Sequence, residues 1–214
     1  MDQLSIRKTE ESDYRATEHI TREAFWNLHV PGCDEHYLLH EMRGHGDFVK
    51  ELDYVATLKG NVVGNIVYSR SRVESAEGEI IDTLTFGPVS VLPEYQKQGV
   101  GSRLIKRTLE IVRTMKIPAV IIYGHPHNYV KHGFVNGKRY GIGIGNEKYP
   151  AGLLVYMIDR EAFTNQSHIF HESDLFNIDE DKVLSFDRQF PQKKREYHYS
   201  QEEFYIASHS FIEV

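Results

Sequence analysis

A chain of 214 residues with 26% charged and 40% apolar side chains has the make-up of a soluble globular protein large enough to bury a sizeable core. A net charge of −6 argues against a general nucleic-acid binder, and the longest apolar runs, residues 117–123 and 152–158, are too short to cross a bilayer, so neither nucleic acid nor membrane is an expected partner. Cys33 is the only cysteine, which excludes an intrachain disulfide, and with no apolar leader at the N-terminus the expected location is the cytoplasm.

Residues 4–9 alternate as a strand, and Ser12-Asp13 supplies cap chemistry for a helix running to about Trp26. The expected inner stripe of that helix is Tyr14, Thr17, Ile20, Ala24 and Phe25. Pro31-Gly32 ends the unit, and residues 36–43 form a second short helix closed by Gly44 and Gly46. Residues 54–58, 62–73 and 80–91 read as three antiparallel strands, linked by Lys59-Gly60-Asn61 and by Glu77-Gly78. Pro88 falls inside the third of these runs, where it can donate no ladder hydrogen bond, so the strand must bulge or go unpaired there. The backbone groups of Val89 and Val91 are then available to a ligand.

The strand turns through Gly99-Val100-Gly101 into a helix over 101–115. Glycines at 99 and 101 permit positive φ and clear space, so the first N–H groups of the helix can converge on an anion where the helix dipole favours it. A phosphate-binding loop of the Lys-Ser/Thr type is excluded by Ser102-Arg103, and the dinucleotide fingerprint is excluded by Leu104 in place of a third glycine. Residues 117–123 follow as a buried strand, parallel to its predecessor across the helix, and 151–158 as a last core strand. After it the pattern is irregular. Residues 159–214 are expected to be a C-terminal appendage packed on the same domain, with Phe170, Phe176, Phe186 and Phe190 covering an apolar surface.

Gln96-x-x-Gly99-x-Gly101, preceded by Val89-Ser90-Val91 and followed by Tyr129-x-x-x-Gly133-Phe134, resembles the acetyl-CoA signature of the GNAT superfamily of N-acetyltransferases. The resemblance runs over residues 4–158, with its specific part at 86–134. It implies an α/β (α+β) fold: a mixed, mostly antiparallel sheet splayed between its fourth and fifth strands and flanked by helices. It also implies an acetyl transfer from acetyl-CoA to a primary amine by direct attack in a ternary complex. Carried over residue by residue, Val89, Val91, Gln96, Lys97, Gln98, Gly99, Val100, Gly101 and Ser102 bind the cofactor, Val89 N–H also serves as oxyanion donor, and Tyr129 protonates the departing sulfur. Lys97, Arg103, Lys106 and Arg107 are candidates for the CoA phosphates.

The general base is open. Many members of the family carry a glutamate where this chain has Thr85, leaving Asp82, Glu35, a histidine or water. That departure keeps alive a second reading, an acyl-CoA-binding regulatory or interaction protein with weak turnover. No metal site is expected, because the histidines of His40-Glu41-Met42-Arg43-Gly44-His45 are spaced wrongly to share a helix face, and His125, His127 and His132 are read as polar or substrate-side residues. The acceptor is a small-molecule or peptide amine of undetermined identity, and a homodimer is left open.

Overall fold

The computed structural model describes residues 4–163 and 167–213. In chain order the sheet strands and helices are β1 (Leu4–Lys8), α1 (Tyr14–Phe25), α2 (Glu35–Met42), β2 (Tyr54–Leu58), β3 (Asn61–Ser75), β4 (Ile80–Val91), α3 (Val100–Val112), β5 (Ala119–Tyr123) and α4 (Pro126–Tyr129). They continue with the two-residue strands β6 (Val135–Asn136) and β7 (Ile142–Gly143), then β8 (Leu153–Met157), β9 (His168–His171), α5 (Glu180–Asp187) and α6 (Tyr199–Ser208).

The strands join in one sheet of order β1-β2-β3-β4-β5-β8-β6, with β9 pairing both β3 and β7. All the early neighbours are antiparallel; β4 and β5 are parallel, because the α3 crossover returns the chain in the same direction, and they meet at a single pair, Leu84↔Val120. The mixed, splayed sheet expected from the sequence is therefore present.

Each face of the sheet is covered by a different set of elements. Period-two alternation turns Ile66, Tyr68, Leu84, Phe86, Val120 and Ile122 toward α3, whose Leu104, Ile105, Leu109 and Val112 complete the main core. The Tyr68 hydroxyl shares a 2.8 Å hydrogen bond with Thr108, which satisfies both groups in the interior. On the opposite face Val73, Ile121 and Val155 pack with Ile142, Phe163 and Phe170, so residues beyond 158 belong to the core. The strand at 153–157 is accordingly not the last one: β9 follows, aligned with β3 through Val73↔Phe170, in the position β2 vacates after Ile66. Within 159–214, residues 164–166 and 214 lie outside the described residues. Of the tail aromatics, Phe170, Phe186 and Phe190 are buried, and Phe176 packs against the α2 cluster of Leu38, Leu39 and Met42.

The inner stripe of α1 differs from its expected composition. Thr17 and Ile20 are buried, but Tyr14, Ala24 and Phe25 are only half-buried, and Glu18, Thr21 and Arg22 take their place. The reason lies on α5. Its Asp187 accepts from Arg22 Nε at 2.6 Å, while Arg22 Nη2 donates to the Pro191 carbonyl and the guanidinium lies over Trp26. His36 Nε2 approaches the same carboxylate at 3.3 Å, and Cys33 Sγ lies 3.2 Å from His36 Nδ1. Burial pushes His36 down to about 4 despite Asp187, and pushes the Cys33 thiol far above its ordinary range, so this knot is inert packing rather than a nucleophile. Removing one partner from a buried pair strands the other charge. Arg22→Ala or Asp187→Ala is expected to lower stability by about 3–5 kcal/mol, read from urea unfolding at pH 7, and the double variant Arg22→Met/Asp187→Leu to recover most of that loss.

Candidate active site

Across the interruption in β4, Ile66 pairs with Val89 and Tyr68 with Phe86, so Val67 alone faces Gly87 and Pro88. This is the bulge that Pro88 requires. Just beyond it, Leu92 N–H donates to the Val63 carbonyl at 3.0 Å, which directs Leu92 toward β3. Backbone groups alternate along a strand, so the N–H and C=O of Val91 and Val89 face the other way, into the gap left where β4 and β5 separate after Leu84. Gln96 Nε2 donates to the Val91 carbonyl at 3.0 Å. Gln96 thus folds the loop back on the strand and occupies one of those acceptors itself.

The loop then enters α3. Gln98 Nε2 holds the Glu94 carbonyl at 2.8 Å, Lys97 takes φ +58 and Gly99 φ +85, and the helix begins at Val100. Only Gly99 needs glycine's left-handed freedom, because Gly101 is an ordinary helical residue. A Cβ on Gly101 would meet Val91 Cγ2 at 3.7 Å, so its smallness keeps clear the space between strand and helix. The first-turn N–H groups of Val100, Gly101 and Ser102 have no partner within the helix and open beside Val89 and Val91. Lys97 is exposed in the loop.

Beside this mouth a cleft of about 380 Å³ runs between α3 and the segment after α4, lined by Ser102, Arg103, Lys106, Arg113, Lys131 and His132 among others. Of the four basic candidates, Arg103 and Lys106 line this cleft, whereas Arg107 is turned to Glu110 at 3.7 Å. Burial and Lys131 push His132 down, so it is neutral in the cleft at pH 7. His125 and His127 are exposed, and among the described residues no three His, Cys, Asp or Glu side chains converge as metal ligands would.

Tyr129 stands at the head of the gap. Its ring packs on Phe86 of β4 (centroids 5.7 Å apart) and Phe134 (6.1 Å), and lies so close to Gly124 that a Cβ there would fall 2.3 Å from Cε2. Gly124 therefore admits the ring, a signal that was readable in the sequence but not used. Gly133 closes the turn at φ +92 and delivers Phe134 into the core. Burial pushes the Tyr129 phenol up to about 12, so it carries its proton throughout the neutral range.

Neither acidic candidate from the sequence reaches the same place. Asp82 is exposed and, by alternation, shares the face of Leu84 and Phe86, opposite to Thr83 and Thr85. Glu35 accepts from Asp34 N–H and pairs with His29 at 3.0 Å at the start of α2. Thr85 itself is buried with a hydroxyl that has no partner. Its neighbours on that face, Ser69, Ser71 and Thr83, were legible as small polar residues at alternate positions in two strands. Glu172 lies half-buried just beyond β9.

Comparison with known proteins shows the family and the fold. The sequence family described as acetyltransferase (GNAT) domain matches residues 5–136. The uncharacterized N-acetyltransferase YjhQ of Escherichia coli (strain K12) is 38% identical over 85 residues, which span 39% of this chain and 45% of that protein. Among solved structures, the GNAT-family N-acetyltransferase YhbS of Escherichia coli, determined in complex with CoA, superposes with a TM-score of 0.69 at 21% identity, over 82% of this chain and 93% of its own. A GNAT-family acetyltransferase from Brucella melitensis in complex with acetyl-CoA gives 0.62 at 22% identity, over 82% and 99%. At those identities the two structures speak for the fold, and the family match carries the assignment: the chain belongs to the GNAT acetyltransferase family.

Proposed function

We propose that this protein moves an acetyl group from acetyl-CoA to a primary amine by direct attack in a ternary complex. The observation that carries the reading is the juxtaposition of the gap beside Val89 and Val91, the helix mouth at Val100–Ser102 and the protonated Tyr129. Solved relatives hold CoA and acetyl-CoA, in keeping with it. In this reading the first turn of α3, with Arg103 and Lys106, holds the pyrophosphate and phosphate end. Val89 N–H steadies negative charge on the carbonyl oxygen, and loss of one such donor typically costs about 10²–10³ in rate. Tyr129 gives its proton to the leaving sulfur. The bound acetyl-CoA supplies the thioester.

The division of labour proposed here gives residues up to 158 the cofactor and residues 159–214 the acceptor side. β9 and α5 support it, since both pack on the face away from α3 and α4. Among the described residues no helix is long and apolar enough to cross a membrane.

The test is an acceptor screen with spermidine, kanamycin, free amino acids and a lysine-bearing peptide, following thiol release from acetyl-CoA against a control without amine. At least one amine is expected to accelerate release and gain one acetyl group by mass, with initial-rate plots that intersect. Parallel plots together with an isolable acetyl-enzyme would replace the ternary complex by a covalent route. Tight CoA binding with no thiol release for any amine would favour the non-catalytic reading that Thr85 invites.

A further inference from the structure

On the face turned away from α3, the middle of β3 and β4 carries small hydroxyl side chains in register. Ser69 stands across from Thr85, and Ser71 across from Thr83. Ser71 and Thr83 bond each other at 2.8 Å, whereas the buried hydroxyls of Ser69 and Thr85 have no partner. A buried hydroxyl left unpaired costs about 1–3 kcal/mol, and with Ser69 and Thr85 0% and 2% exposed these two mark a polar interior on this face of β3 and β4.

This face is bordered by β9. Phe170 pairs with Val73 and lies in the same cluster as Ile121, and alternation brings Glu172, two residues on, over the same face. The next residue anchors it, because the Ser173 hydroxyl donates to Asp47 at 2.5 Å. Across from it stands Tyr123 at the end of β5, whose ring lies 6.0 Å from Phe170 and whose phenol is raised to about 12 by burial and by the neighbouring Glu172 carboxylate. Tyr129 approaches the β4–β5 gap from the other face, packed on Phe86 and Phe134.

We propose that Glu172 is the general base of the transfer, accepting a proton from the acceptor's ammonium group beside Tyr123, on the face of the sheet that carries Thr85. The proposal rests on the acetyl-transfer reading. The ammonium gives one proton to the carboxylate, leaving a neutral amine and a carboxylic acid. The nitrogen lone pair forms the C–N bond to the thioester carbonyl carbon, and the C–S electron pair departs on sulfur. Tyr129 protonates that sulfur and recovers a proton from the amide nitrogen, while Glu172 releases its own to solvent. Ammonium and thioester thus become amide, thiol and one proton.

Burial pushes Glu172 up to about 7, which suits a group that must both take and release a proton at neutral pH. The titratable groups around it are few. Tyr123 faces it from β5, Asp47 is held by Ser173, and His171 pairs with Glu74 at 3.0 Å on the opposite face of β9 and β3.

Glu172→Gln keeps the shape and removes the base. With spermidine, or whichever amine of the screen is turned over fastest, kcat at pH 7.5 is expected to fall about 10²-fold with CoA affinity unchanged, and the wild-type rise in kcat/KM through about pH 7 to vanish. With hydroxylamine, which is already an unprotonated nucleophile at this pH, the variant is expected to lose threefold or less. Because the folded-state acid is raised above its unfolded value, ionising it costs stability as pH rises from the ordinary glutamate range through about 7. The variant's melting temperature should therefore match wild type at pH 4 and exceed it at pH 8, which also shows that it folds. Turnover of the amine within threefold of wild type with the same pH inflection, or equal losses for amine and hydroxylamine, would overturn the assignment. A wild-type protein that binds CoA and acetylates nothing would overturn acetyl transfer itself, a result separable from either.

Discussion

Gly99→Glu is expected to abolish CoA binding by a protein that still folds. Gly99 is the residue before α3 and sits at φ +85, a conformation that costs an L-residue with a side chain about 1–2 kcal/mol. Nothing lies within 4 Å of a Cβ built there, so the new side chain has room and the core is untouched. The damage is electrostatic. A carboxylate at this point sits against the free N–H groups of Val100–Ser102, caps the helix itself and repels a pyrophosphate from the same donors. Gly99→Ala supplies the control: it carries the backbone strain without the charge and should weaken binding only several-fold. Calorimetry with CoA, alongside circular dichroism, reads both. Wild-type affinity in the glutamate variant would mean that the anion site lies elsewhere.

Tyr129→Phe is expected to lower turnover by about 10²–10³-fold while acetyl-CoA affinity stays within a few-fold. The ring contacts with Phe86, Phe134 and the Gly124 backbone are kept by phenylalanine, so the substitution removes a proton and little else. In the wild type the phenol, raised to about 12, is protonated across any assay between pH 6 and 9.5, so no alkaline fall in kcat over that range belongs to it. A variant with unchanged kcat on a competent acceptor would return Tyr129 to a packing role.

Much of the cofactor side could be read from local sequence because its signals are local. The bulge follows from Pro88, the helix start from Gly99, and the closing turn from Gly133, each within a few residues of its effect. The positive φ at Lys97 was not legible, since nothing in a lysine's neighbourhood announces a left-handed conformation, and Gly101 was credited with a backbone role that it does not play. The face that β9 borders was harder to read. β9 is four residues long, and its partner Val73 precedes Phe170 by nearly half of the chain, so no window of sequence contains both. The same distance hid the stripe of α1: Arg22 is tolerable in the interior only because Asp187 arrives from α5. Thr85 marked the absence of the usual carboxylate, whereas the position of Glu172 follows from the β3–β9 register.

That register also sets a timetable. A ribosome releases β3, β4, α3 and Tyr129 well before residues 168–172, so the part of the core that Phe170 completes stays open to water until β9 emerges. Pairing of Val73 with Phe170 is among the most non-local contacts in the sheet and forms against the largest loop-closure cost, which makes it a late event in folding as well as in synthesis. A chain stalled before residue 168 would then lack the last strand of the sheet and leave the edge of β3 at residues 72–75 unpaired on that side.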